Sequence, residues 1–142
     1  MNNFFILFSI NQSPIVDQNE LRNKYFELQK KYHPDCTADK TIDISLINEG
    51  YSVLSDQFLT ILHILNINGI TIKNTNTDIC FLMQCMEWQE NLQNKTNVLQ
   101  TKKDINEKNN KLLNDIIELI LTNQLAESVP IVEQAMYLKK LI

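Results

Sequence analysis

Apolar residues recur along most of this chain at intervals of three and four, broken by short polar stretches. Such spacing places side chains on one face of an α-helix. A first apolar run covers residues 4–10, with Phe4, Phe5, Leu7 and Phe8 as packing residues. Leu21, Tyr25, Leu28 and Tyr32 follow on one stripe and predict a helix from about Gln18 to Tyr32. Asp17 and Glu20 have the spacing of a capping box at its start. Ile44, Ile47, Tyr51, Leu54, Phe58, Ile61, Leu62 and Leu65 carry the same period onward and predict one long helix from roughly Thr41 to Asn68. The short loop between the two long helices makes them antiparallel, with facing stripes as a first core. Gly50 costs that helix about 1 kcal/mol relative to Ala, which a close approach of another helix would justify. Gly69 suits a helix stop. His63 reads as a partly exposed structural histidine rather than a ligand.

From Asn68 to Asp78 the chain is polar and turn-rich, and the domain boundary is placed there. The next helix spans Ile79 to about Asn94, capped by Thr77 or Asp78. Phe81, Cys85, Trp88 and Leu92 form its core stripe. Leu82, Met83 and Met86 fall on a neighbouring face beside Glu87 and Glu90. A helix apolar beyond one stripe is either sandwiched or presents a binding patch; flexible, polarisable thioethers suit the patch, and plain core packing is the competing reading. Polar residues from Gln93 to Thr101 read as part loop and part helix start, a long helix covers Lys102–Leu121, and a last helix covers about Leu125 to Leu141. Pro130 is awkward inside it, because proline lacks the N–H for the helical bond. The helix either begins near Ser128 or kinks. The pattern as a whole predicts an all-α chain: a helical hairpin with a short first helix, then a three-helix bundle.

Composition narrows the function classes. The 142 residues are 44% hydrophobic and 21% charged, which is globular rather than disordered. With a net charge of −4, non-specific nucleic-acid binding is excluded. The apolar N-terminal run has no basic segment or cleavage site and is too short to span a bilayer. Cys36, Cys80 and Cys85 lack zinc or disulfide spacing, and neither His33 nor His63 completes a metal set. No metal, cofactor, nucleic-acid or membrane association is expected, and a reducing compartment is the default.

The chemistry-bearing stretch is Lys30-Lys31-Tyr32-His33-Pro34-Asp35. Pro34 drives His33 out of the helical region and ends the helix, leaving a ring donor and a carboxylate acceptor either side of a rigid residue. Arg22, Lys24, Lys30 and Lys31 lie off the apolar stripe. A basic helix ending in a stiff corner suits docking onto an acidic protein surface. An acid–base enzyme using His33 and Asp35 would need a shielded pocket and a third partner, and neither is indicated, so no enzymatic activity is expected. The bland alternative is a helix stop with a solvated histidine.

The order of these elements resembles the HscB family, the J-type co-chaperones of iron–sulfur cluster assembly. The resemblance is carried by Phe5 to Phe8, by Leu28-Gln29-Lys30-Lys31-Tyr32-His33-Pro34-Asp35, by Ile47-Asn48-Glu49-Gly50-Tyr51, by Phe81-Leu82-Met83 with Glu87 and Glu90, and by Tyr137-Leu138-Lys139-Lys140-Leu141. It implies a J domain over 1–69, a linker over 70–77 and a scaffold-binding bundle over 78–142. It further implies that His33, Pro34, Asp35, Lys24, Lys30 and Lys31 contact a DnaK-type chaperone, HscA, and stimulate its ATPase. Leu82, Met83, Met86, Glu87, Glu90 and Tyr137 would hold the scaffold protein IscU. Cys36 stands where members carry a basic residue, and Met136 where an arginine is common. The chain ends before the family's final helix would, which implies a less stable bundle. The absence of an N-terminal zinc extension favours a bacterial-type, cytoplasmic protein. The alternative to this scaffold-specific role is a general J-domain co-chaperone for unfolded clients.

Overall fold

A computed structural model describes residues 3–33, 35, 42–72 and 78–141. Among the described residues there are seven helices and no strand. The chain divides into two units, Met1–Ile70 and Thr71–Ile142. Residues 73–77 of the expected linker lie outside the described residues.

In the first unit the helices are α1 (Phe4–Leu7), α2 (Gln18–Tyr32), α3 (Ile44–Leu54) and α4 (Gln57–Ile67). The side chain of Asp17 accepts the N–H groups of Asn19 and Glu20 and so starts α2, satisfying donors that have no partner inside the helix. The long helix expected over 41–68 is instead two helices. Asp56 is extended, and its carboxylate accepts the Leu59 N–H at 3.0 Å. Thr60 Oγ1 donates to the carbonyls of Val53 (3.1 Å) and Asp56 (2.8 Å). Short polar side chains that compete with the helical backbone interrupt it here. The apolar period runs on regardless, since Leu54, Phe58, Ile61 and Leu65 are all buried.

Two features hold α1 onto α3 and α4. Gly50 has no side chain, and a Cβ there would lie 2.8 Å from a carbon of the Phe4 ring and 2.8 Å from one of Phe8. The close approach is thus made by α1. His63 accepts the Phe4 N–H at Nε2 (3.1 Å) while its ring stacks on Phe4 at 4.7 Å. It is buried rather than partly exposed, because the two phenylalanine rings of α1 close over it. Leu7, expected in the core, is only half-buried, while Phe4, Phe5 and Phe8 are buried.

The second unit consists of α5 (Ile79–Gln93), α6 (Val98–Leu121) and α7 (Leu125–Lys139), with α6 packed against both α5 and α7. Phe81, Cys85, Trp88, Ile105, Leu112, Ile116, Val132, Ala135 and Leu138 are buried there. α6 begins at Val98, so the polar stretch before Lys102 is part loop and part helix start, and the loop part holds a bend in which Lys95 and Asn97 take positive φ values of 55° and 49°. α7 begins at Leu125 and takes Pro130 into its second turn, so only the bond to the Ala126 carbonyl is forfeited. No late start at Ser128 is needed. Ser128 Oγ instead donates to the Leu125 carbonyl at 2.6 Å.

Two outcomes follow for the first unit. Gly50→Ala gains about 1 kcal/mol of helix propensity but loses about 1–3 kcal/mol to overpacking against two buried rings; denaturant unfolding should show a net loss of stability. Burial pushes the His63 imidazole below its ordinary value of 6.5. Below pH 6.5 the unfolded chain therefore binds a proton that the folded chain does not, and stability falls as pH is lowered until the folded ring itself titrates. Urea midpoints across that range should decline less steeply for His63→Gln than for the parent chain.

Candidate functional site

The candidate residues form two clusters, one in each unit. The first is the end of α2. His33 leaves the helix with extended geometry (φ −65°, ψ 132°), and its N–H donates to the Gln29 carbonyl. Its side chain is 43% exposed and that of Asp35 is 89% exposed. The Asp35 N–H donates to His33 Nδ1 at 3.2 Å. That bond requires a neutral ring protonated at Nε2, which leaves Nε2 as the donor for an outside partner. The approach of Asp35 Oδ2 to Nδ1 (3.7 Å) is a pair only in the protonated ring. Pro34 and Cys36 lie outside the described residues.

A polar and aromatic clamp holds α2 to α3 and so aims this corner. Tyr25 stacks on Tyr51 at 4.2 Å, and its hydroxyl donates to Asn48 Oδ1 at 2.8 Å. Gln29 Nε2 donates to the Tyr25 hydroxyl (2.9 Å) and to the same Asn48 oxygen (2.7 Å). The three candidate lysines do not share one face. Lys24 and Lys31 are two turns apart on one flank, with Lys31 Nζ 5.2 Å from the Tyr32 ring centroid. Lys30 lies on another flank, in line with Arg22 and Phe26 at four-residue intervals. Phe26 is 53% exposed and was missed by pattern reasoning. Its departure from the apolar stripe was the signal available.

The second cluster lies on α5. Asp78 caps it by accepting the Phe81 N–H at 3.1 Å. Phe81, Cys85 and Trp88 turn into the bundle, and Leu92 is half-buried. Met83 and Met86, each 64% exposed, point away from that seam together with the exposed Glu87 and Glu90. Three- and four-residue steps make these four side chains mutual neighbours. Gln84 Nε2 donates to Glu87 Oε2 at 3.4 Å. Leu82 is half-buried, so it divides its surface between bundle and solvent. Half-buried Tyr137 of α7 meets the edge of Phe81, with ring centroids 6.1 Å apart. Met83, Met86, Glu87 and Glu90 line an open groove along α5 that also includes Cys80, an exposed thiol. Buried Cys85 has its thiol pushed up to about 11 by desolvation, against a smaller opposing effect of Lys108.

Among the described residues no group of three His, Cys, Asp or Glu side chains is placed to hold a metal ion, and no helix is long and apolar enough to cross a membrane. Neither cluster is a shielded pocket joining an acid, a base and a third group. What both offer is contact: hydrogen-bonding and charged groups at one, thioethers rimmed by carboxylates at the other.

Known proteins resemble this chain in sequence and in fold. The HSCB C-terminal oligomerisation domain matches residues 77–142. The co-chaperone protein HscB homolog of Shewanella woodyi is 40% identical over 102 residues, a match covering 64% of this chain and 59% of that relative's length. The homolog of Shewanella denitrificans is 30% identical over an alignment of 148 residues, covering 96% of this chain and 84% of the relative. The crystal structure of human co-chaperone protein HscB superposes with a TM-score of 0.86 at 22% identity, covering 99% of this chain and 78% of that one. This likeness speaks for the fold, an all-α J domain followed by a C-terminal helical bundle. Taken with the sequence matches, it establishes that the chain belongs to the HscB family of co-chaperones.

Proposed function

We propose that this protein is an adaptor of iron–sulfur cluster assembly: its J domain engages the DnaK-type chaperone HscA and stimulates ATP hydrolysis, while α5 holds the scaffold protein IscU and delivers it. The observation that carries this proposal is that the two open clusters belong to separate units, so that one chain has a surface for each partner. Tethering both partners to one chain raises the effective concentration of each for the other.

At the chaperone contact, His33 offers a ring N–H and Asp35 a carboxylate. Lys24, Lys30 and Lys31 supply charge that speeds encounter with an acidic surface. Pro34, between donor and acceptor, limits the freedom lost on binding. At the scaffold contact, Leu82, Met83 and Met86 are the apolar anchor, with Glu87, Glu90 and Tyr137 around it, an arrangement typical of interface hot spots. The domain limits follow the same division: J domain over 1–69, linker over 70–77 and scaffold-binding bundle over 78–142.

Titration with HscA and IscU while following ATP turnover tests the whole scheme. His33→Gln should leave the melting temperature in place and abolish stimulation of the chaperone ATPase; undiminished stimulation would remove His33 from the site. Met83→Ala combined with Met86→Ala should weaken scaffold binding by about 2 kcal/mol with little change in melting temperature, since both side chains are largely in solvent. A large fall in melting temperature would instead assign them to the fold.

A further inference from the structure

We infer that Met83 and Met86 form a reversible oxidation site, through which a peroxide weakens docking of the scaffold; the inference rests on the docking role of α5 given above. Of the four methionines in the chain, Met1 lies outside the described residues and Met136 is half-buried. Met83 and Met86 are each 64% exposed. The two most open thioethers of the described chain are therefore neighbours in a single groove, three residues apart on one helix.

The chemistry is a two-electron oxygen transfer. A thioether lone pair attacks one peroxide oxygen, an S–O bond forms and the O–O bond breaks. With hydrogen peroxide the sulfur becomes a sulfoxide and the other oxygen leaves as water. The reaction replaces a flexible apolar group with a polar one. Its new oxygen needs a hydrogen-bond donor, and the neighbouring Glu87 and Glu90 carboxylates are acceptors only. The amide of Gln84 gives one of its two N–H groups to Glu87. The oxidised face would carry a strongly hydrated oxygen into an interface built for apolar contact, and docking would have to strip that water away. Methionine sulfoxide reductases reverse the change.

The test treats the full chain with hydrogen peroxide and then with a thiol reductant, which returns reversible thiol products and leaves sulfoxides in place. Peptide mass mapping locates the added oxygen, and calorimetric titration with an isolated IscU-type scaffold protein reads affinity. The expected result is oxidation at Met83 and Met86 ahead of Met136, a scaffold affinity about tenfold lower or more, and recovery after reductase treatment. In Met83→Leu with Met86→Leu, affinity should be the same with and without peroxide, whatever its starting value. Sulfoxides at both positions with unchanged affinity would overturn the inference. So would oxidation of Met136 in preference to both, or a loss that reductases do not repair. A chain that fails to bind scaffold before any peroxide is added removes the docking role, and the switch with it, at a step separate from oxidation.

Discussion

A helix in a pack of only about seventy residues has one seam to bury, and the arrangement of both units follows from that constraint. In the second unit α5 gives its seam to Phe81, Cys85 and Trp88, and these fill the space against α6. Apolar residues added beyond that stripe find no second layer to enter. Met83 and Met86 are therefore left in water. In the first unit α2 spends its seam on Leu21 and shares Tyr25, Leu28 and Tyr32 with the boundary. Its remaining faces carry charge.

In the proposed function the two clusters would make contact by different physics. The corner after α2 is directional, with a ring whose tautomer is set by the Asp35 N–H and a carboxylate held nearby. Its aim depends on the shared acceptor Asn48 and the Tyr25–Tyr51 stack, which fix the helix that ends there. The face on α5 is adaptable, since thioethers repack easily and an α-helix needs only its own backbone bonds to present them. One surface specifies geometry and the other tolerates it.

Much of this was legible in the chain because period and capping are local. The limits of α2 follow from Asp17 at one end and Pro34 beyond the other, and the outward face of α5 follows from Leu82, Met83 and Met86 lying off the stripe. What escaped was tertiary or competitive. The break at Ser55–Asp56 was hidden because apolar spacing survives it, so a polar cap overrode a continuing pattern. His63 is buried by rings almost sixty residues away, which no local window contains. Where within Gln93–Thr101 the loop gives way to α6 depends on left-handed backbone at Lys95 and Asn97, a conformation that side-chain pattern does not encode. That the lysines lie off the apolar stripe does not place them together, and helical geometry separates Lys30 from Lys24 and Lys31.

The restart at Asp56 has a further consequence. A helix with its own cap takes its own direction, so α4 is not the tail of α3. Because Phe4 is bound to His63 and seated on Gly50, α1 ties α3 and α4 together across the break. The clamp between α2 and α3 shares α3 with that tie, so the corner it aims is braced by all four helices of the first unit.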